Sequence, residues 1–200
     1  MDINIRKLTS DLAEDYARFF DVTPHDDQTN KDELPCYCVT WRTDDTYACD
    51  KNGNWNHWFP TREERREHAI RFIKAGSLHG YLAYNGDKIV GWCNANADCR
   101  GCVDYLRTMY PIDEYNADIK IKSIFCFVIA PEMQRKGIAT RLVEHICKDA
   151  ADDGFDFVEA YVDEKSTVNY RTPLELYEKC GFVKSTEREG RVVVRKALKS

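Results

Sequence analysis

Residues 124–139 read Ile124-Phe125-Cys126-Phe127-Val128-Ile129-Ala130-Pro131-Glu132-Met133-Gln134-Arg135-Lys136-Gly137-Ile138-Ala139, and this stretch decides the fold. Its apolar run, 124–130, has the length of a buried strand and is too short for a helix. Beyond it Ile138, Leu142, Val143, Ile146 and Ala150 recur at helical spacing, so a helix starts near Gly137. A strand, a short glycine-containing turn and a helix N-terminus together present backbone N–H groups to an anion. Gly137 allows close approach of the backbone, Ala139 keeps the first turn free of bulk, and Arg135 and Lys136 add positive charge. Neither a Walker phosphate loop nor the Rossmann glycine pattern occurs.

Gln134-Arg135-Lys136-Gly137-Ile138-Ala139 resembles the acyl-CoA signature of the GNAT superfamily of N-acetyltransferases, Gln/Arg-x-x-Gly-x-Gly/Ala. About forty residues on, Leu174-Glu175-Leu176-Tyr177-Glu178-Lys179-Cys180-Gly181-Phe182 resembles the closing helix and turn of that family, Leu-Tyr-x-x-x-Gly-Phe. Pro173 suits a first helical position and Gly181 a C-terminal cap. The resemblance covers roughly residues 80 to 198 and implies an α/β fold, a mixed twisted sheet with helices on both faces. It further implies that acetyl-CoA is the cosubstrate. The turn from Gln134 to Ala139, with Ile138 and Thr140 in the first helical turn, would hold its pyrophosphate. Edge groups of Phe127, Val128 and Ile129 would bind the pantetheine arm, and a backbone N–H near Val128 would meet the developing oxyanion. Tyr177 matches the family's general acid; a phenol of ordinary pKa near 10 keeps its proton at neutral pH and can donate it to the departing thiolate. One departure from the pattern is Asn169, eight residues before Tyr177 where the family often has seven.

The general base is not marked by a motif. Glu159 interrupts an apolar strand beside the expected cleft, where a carboxylate can accept the proton of an ammonium or pair with a neighbouring cation. Asp163, past the strand end, is an alternative, and Glu132 on the phosphate turn reads as solvated. No histidine (His25, His57, His68, His79, His145) occupies a matching family position.

Two hundred residues suffice for one domain, 1–200, with a proper core. Hydrophobic residues at 43% and charged residues at 32% fit an ordinary globular chain. A formal charge of −5 argues against a nucleic-acid binder, which would show a basic face, and suits a cationic acceptor. There is no apolar N-terminal segment and no run of 18 apolar residues, so neither a leader nor a membrane span is expected, and a cytoplasmic location is. A homodimer is a common family state by the same resemblance.

Nine cysteines without a secretory signal favour free thiols over a disulfide framework. Cys36-x-Cys38 and Cys99-x-x-Cys102 are a conceivable zinc set, but about sixty residues separate the pairs and no metal is expected. Elsewhere Ile3–Leu8 alternates like an opening strand, Ser10 suits a helix cap, and Thr61–Glu64 reads as a capping box. Tyr81–Tyr84, Asn85-Gly86 and Lys88–Cys93 signal a hairpin, and a last strand pair folds about Glu189-Gly190. The resulting order is β-α-α-β-β-β-α-β-α-β-β.

Residues 22–60 resemble nothing closely and read as an acceptor-side insertion. Aromatics such as Trp41, Trp55, Trp58 and Phe59 interleave there with Asp44, Asp45 and Asp50, a combination suited to a cationic amine or simply to packing the insertion. Asn94 offers a polar contact from the neighbouring strand. The leading function is transfer of an acetyl group to a primary amine of a small molecule or peptide, by direct attack in a ternary complex. Another acyl-CoA, or a non-catalytic CoA sensor, are the alternatives.

Overall fold

The computed structural model describes residues 2–23, 36–39, 41, 59, 61–96, 106, 109–112, 118–165 and 173–199. The elements are β1 (Ile3–Lys7), α1 (Ala13–Val22), α2 (Arg62–Lys74), β2 (Gly80–Asn85), β3 (Lys88–Asn96), β4 (Ile121–Ile129), α3 (Ile138–Asp152), β5 (Phe157–Asp163), α4 (Leu174–Lys179), β6 (Val183–Arg188) and β7 (Arg191–Ala197). Their order is the one expected from the sequence. They form a seven-stranded mixed sheet, β1-β2-β3-β4-β5-β7-β6, in which β4 and β5 alone are parallel neighbours.

The two faces of the sheet can be told apart at β3. A Cβ on Gly91 would meet the side chains of Ile129, Ile138 and Ala83, so that face carries α3. Trp92 therefore points the other way, where Tyr16 of α1 meets its ring edge-on at 4.7 Å. Leu142, Val143, Ile146 and Ala150 bury the apolar stripe of α3 against the sheet. The aromatic set Tyr16, Phe19 and Phe20 buries that of α1.

Several local readings hold at the level of individual bonds. Thr61 and Glu64 form the reciprocal capping box of α2. Glu189 and Gly190 both have positive φ between the paired Arg188 and Arg191, the geometry of a two-residue hairpin turn. Gly181 (φ 83°) and Phe182 donate to the carbonyls of Glu178 and Tyr177, which is a Schellman close for α4. Other positions shift. Ser10 opens a 3-10 turn and makes no cap, while Pro173 precedes α4 in extended backbone instead of standing inside its first turn. The first hairpin turns on Gly86-Asp87, because Asn85 pairs with Lys88. β4 begins at Ile121, three residues before its apolar run, since Lys122 and Ser123 are buried by partners that the local sequence does not show.

Candidate active site

The central feature is a fork in the sheet. β4 pairs with β5 only from Ile121↔Phe157 to Ile124↔Ala160. β5 continues to Asp163 beside β7, and β4 continues to Ile129 beside β3, but the two no longer pair with each other. A bulge accompanies the separation: Asn94 pairs with Cys126 and Ala95 with Ile124, leaving Phe125 as the extra residue. The first residues beyond the last pair, Phe125 and Tyr161, stack with ring centroids 5.8 Å apart and fill the apex. Trp41 stacks on the other face of Phe125 at 5.0 Å, nearly parallel, and Tyr110 packs against Tyr161 at 5.7 Å.

Register then settles which backbone groups are available. The Ala130 N–H donates to the Val90 carbonyl at 3.0 Å. With Gly91↔Ile129, Trp92↔Val128 and Cys93↔Phe127 in register, alternation makes Trp92/Val128 the next hydrogen-bonded pair. The N–H and C=O groups of Phe127 and Ile129 consequently point to the unpaired edge, and those of Val128 point to β3. Of the three edge residues expected, Phe127 and Ile129 thus carry the free groups, and an N–H near Val128 belongs to one of these neighbours. Gln134 Nε2 already reaches the Ile129 carbonyl at 3.4 Å, which ties the start of the phosphate turn to that edge.

The turn itself passes through a 3-10 segment, Pro131–Met133, with Met133 buried beneath it. Gln134, Arg135, Lys136 and Gly137 are exposed. Arg135 (φ 57°) and Gly137 (φ 79°) both adopt left-handed backbone, and Gly137 is the N-cap of α3. No side chain caps this helix, so the first-turn N–H groups of Ile138, Ala139 and Thr140 have no side-chain acceptor at the cap. Alternating handedness at 135–137 turns successive N–H groups to one concave side. Glu132 beside this turn is held by a 2.7 Å ion pair with Lys88, whose hydrogen bond draws its pKa below the usual carboxylate value.

Tyr177 lies on α4, only 3% exposed, with Phe182 edge-on to its ring at 5.2 Å. The Schellman close fixes this pair, since Phe182 N–H donates to the Tyr177 carbonyl. α4 packs on α3, so the tyrosine and the phosphate turn are positioned by one pair of helices.

Glu159 is 2% exposed, and both of its oxygens are engaged: Arg195 Nε donates to Oε2 and the Tyr161 hydroxyl to Oε1 at 2.6 Å. Ser123 Oγ lies 3.1 Å from the same hydroxyl. Ser123, Glu159 and Arg195 are cross-strand partners on β4, β5 and β7, forming a polar row just below the fork. Asp163 sits 4.0 Å from Arg191. Neither Arg195 nor Tyr161 was singled out in the sequence. The available signal was a cation at the end of an apolar run, Val192-Val193-Val194-Arg195, matching the carboxylate inside the apolar part of β5.

Asn94 is fully buried and donates to the Trp41 carbonyl at 2.9 Å, so its amide is committed to the segment that brings Trp41 over the fork. Asn169, Cys99, Cys102 and nearly all of 22–60, including Asp44, Asp45, Asp50, Trp55 and Trp58, lie outside the described residues. Cys36 is exposed, whereas Cys38 turns inward. His68 stacks on Phe59 at 3.7 Å and His145 meets Tyr81 edge-on, both away from the fork.

The sequence matches the Acetyltransferase (GNAT) family over residues 37–182. No curated protein matches it by sequence. Solved structures with the same fold include the acetyltransferase of GNAT family from Streptococcus pneumoniae, at TM-score 0.55 and 17% identity, covering 99% of this chain and 100% of that one. The GNAT domain of S. lividans PAT aligns at TM-score 0.57 and 14% identity, over 98% of this chain and 90% of that one. The PaiA N-acetyltransferase from Thermoplasma acidophilum, solved in complex with coenzyme A, aligns at TM-score 0.52 and 15% identity, over 98% and 99%.

Proposed function

The chain belongs to the GNAT acetyltransferase family, and on that premise we propose that it transfers the acetyl group of acetyl-CoA to a primary amine of a small molecule or peptide, by direct attack within a ternary complex. The observation that carries this reading is the unpaired edge of β4, whose free backbone groups run straight into an uncapped, left-handed turn at a helix N-terminus. An extended arm ending in a pyrophosphate needs that sequence of contacts. That a structure of the same fold was solved with coenzyme A supports the choice of ligand.

Acetyl-CoA supplies an activated thioester; the chain supplies position and charge. The N–H groups of residues 137–140 and the charges of Arg135 and Lys136 hold the pyrophosphate. Phe127 and Ile129 pair with the pantetheine amides as a strand would, with the Val128 side chain between them. An N–H on this edge stabilises the charge that develops on the carbonyl oxygen as the amine adds. The Tyr177 hydroxyl gives its proton to the departing thiolate. An alkyl ammonium, with a pKa of about 10.4, must first lose a proton. Glu159 can take it only through the Tyr161 hydroxyl, because Arg195 holds its other oxygen.

The acceptor approaches on the side of Trp41, Phe125 and Tyr161, whose stacked rings suit a cationic or partly apolar amine. Among the described residues no helix is long and apolar enough to cross a membrane, and no group of three His, Cys, Asp or Glu side chains could hold a metal ion. The proposed enzyme is cytoplasmic and acts alone or as a homodimer.

Calorimetric titration with acetyl-CoA and CoA, followed by an amine panel with detection of released thiol, tests the proposal. Saturable binding and thiol release dependent on one class of amine are expected. Binding without release across the panel would favour a CoA sensor, and absence of binding would overturn the assignment of the β4 edge.

A further inference from the structure

Where the 36–39 turn meets β4, two thiols are brought together from 88 positions apart in the sequence: Cys38 Sγ and Cys126 Sγ lie 2.8 Å from each other. Both are unbonded and buried. A disulfide spans about 2.05 Å, so less than about 1 Å of approach separates this contact from a bond. The placement is enforced from several directions. Tyr37 and Cys38 are consecutive non-glycine residues with positive φ, 44° and 49°, a backbone held only where the surroundings impose it. Tyr37 is anchored on both sides: its carbonyl accepts from the Tyr16 hydroxyl at 2.7 Å, and its own hydroxyl donates to Asp21 at 2.6 Å while accepting from Arg62. Asn94 Nδ2 points at Cys38 Sγ from 3.4 Å, a donor suited to negative charge arising on that sulfur. Cys126 stands beside the bulged Phe125, immediately before the unpaired edge.

We propose that Cys38 and Cys126 are an oxidation site, closing reversibly into an intrachain disulfide when a peroxide-class oxidant is present. Cys126, the more exposed of the two at 9% against 2%, reacts first: its sulfur attacks a peroxide oxygen, giving the sulfenic acid and one water. Cys38 then attacks the sulfenic sulfur. The S–S bond forms, the S–O bond breaks, and the hydroxyl leaves with the Cys38 proton as a second water. Two thiols and one hydrogen peroxide thus yield one disulfide and two waters. The bond ties the α1–α2 layer, through the Tyr37 anchor, to the central strand at the root of the fork. Transient disulfides of this kind are the form in which redox-sensitive pairs occur in reducing compartments. The proposal stands whether or not the chain transfers an acyl group.

The test uses the full-length protein, treated natively with about one equivalent of hydrogen peroxide, followed by alkylation, intact mass and peptide mapping. Two fewer alkylated thiols are expected, with a linked peptide pair containing Cys38 and Cys126 that dithiothreitol reverses. A loop of this length, closed in the unfolded chain, should raise Tm by about 5–10 °C. Cys126→Ala should lose both the link and the rise while the exposed Cys36 still oxidises. If that variant does not fold, mapping on the unaltered chain decides alone. Full alkylation of Cys38 and Cys126 after Cys36 has oxidised would overturn the proposal, as would a bond mapped to Cys36–Cys38 or any other pair.

Discussion

The two halves of β4 differ in composition and in fate: Ile121–Ile124 includes Lys122 and Ser123, and Phe125–Ile129 is wholly apolar. From Ile121 to Ile124 the strand pairs with β5, and from Ser123 it pairs with β3 as well. From Phe125 to Ile129 it keeps β3 and loses β5. The enclosed half carries side-chain electrostatics. Lys122, 5% exposed in its side chain, reaches the Tyr81 hydroxyl at 2.9 Å and Asp149 at 3.5 Å, with Asp153 at 3.6 Å. Burial pushes its pKa down, and Asp149 and Asp153 pull back against that. Burial likewise raises the Tyr81 phenol far above its ordinary value, helped by its hydrogen bond to Asp149. The open half carries no charged side chain, and along its unpaired edge it presents backbone groups. Buried charge gathers where the sheet closes, and the proposed ligand chemistry lies where it opens, so substitutions in the two halves should separate folding from catalysis.

The largest effect is expected at the open half. Tyr177→Phe keeps the ring against Phe182 and removes only the proton donor, so turnover should fall about 100-fold or more, while CoA affinity by calorimetry changes less than about twofold. Undiminished turnover would remove Tyr177 from the reaction and leave the open edge as a binding feature alone.

Lys122→Met probes the enclosed half. It removes an ammonium from a site where Asp149 retains Lys7 at 3.3 Å and remains partly solvated, so the loss should be smaller than for a fully buried pair, about 1–3 kcal/mol by urea denaturation. CoA affinity should not move. A matching drop in CoA binding would show that the two halves are coupled and break the separation drawn here.

The smallest effect, and the sharpest, belongs to the turn. A Cβ on Gly137 would meet nothing within 4 Å, so Gly137→Val is not excluded by clash; its φ of 79° is what a β-branched residue resists. CoA affinity should weaken about tenfold, or about 1.4 kcal/mol, with little change in unfolding midpoint. Unaltered affinity would mean that the turn's handedness is irrelevant to the anion.

The element order, the strand–turn–helix at 124–139, the capping box and the Schellman close were all readable in the sequence because each depends on residues a few positions apart. Hydrophobic period and cap chemistry are local, so they survive without knowledge of partners. The Asn85-Gly86 turn misled because two adjacent turns were locally acceptable and strand register chose between them; Ser10 stands inside a 3-10 turn whose N-cap position is Thr9. At the candidate site, the turn before α3 and the placement of Tyr177 just ahead of the α4 cap were readable by type and spacing. Of the partners of Glu159, Arg195 was not, since it meets the carboxylate across the pairing of β5 with β7, whereas Tyr161 stands two residues along the same strand.

By itself, then, the sequence determined which segments are strands and helices, where the glycine turn that opens α3 lies, and which tyrosine stands beside the closing cap. Only the tertiary structure decided where the parallel pairing ends, which edge groups are left free, what holds Glu159, and that Cys38 rests on Cys126. A single chain encodes its local conformation in neighbouring residues. Which hydrogen bonds remain unmade, and which distant side chains share a site, are settled only when separate strands take their register against one another.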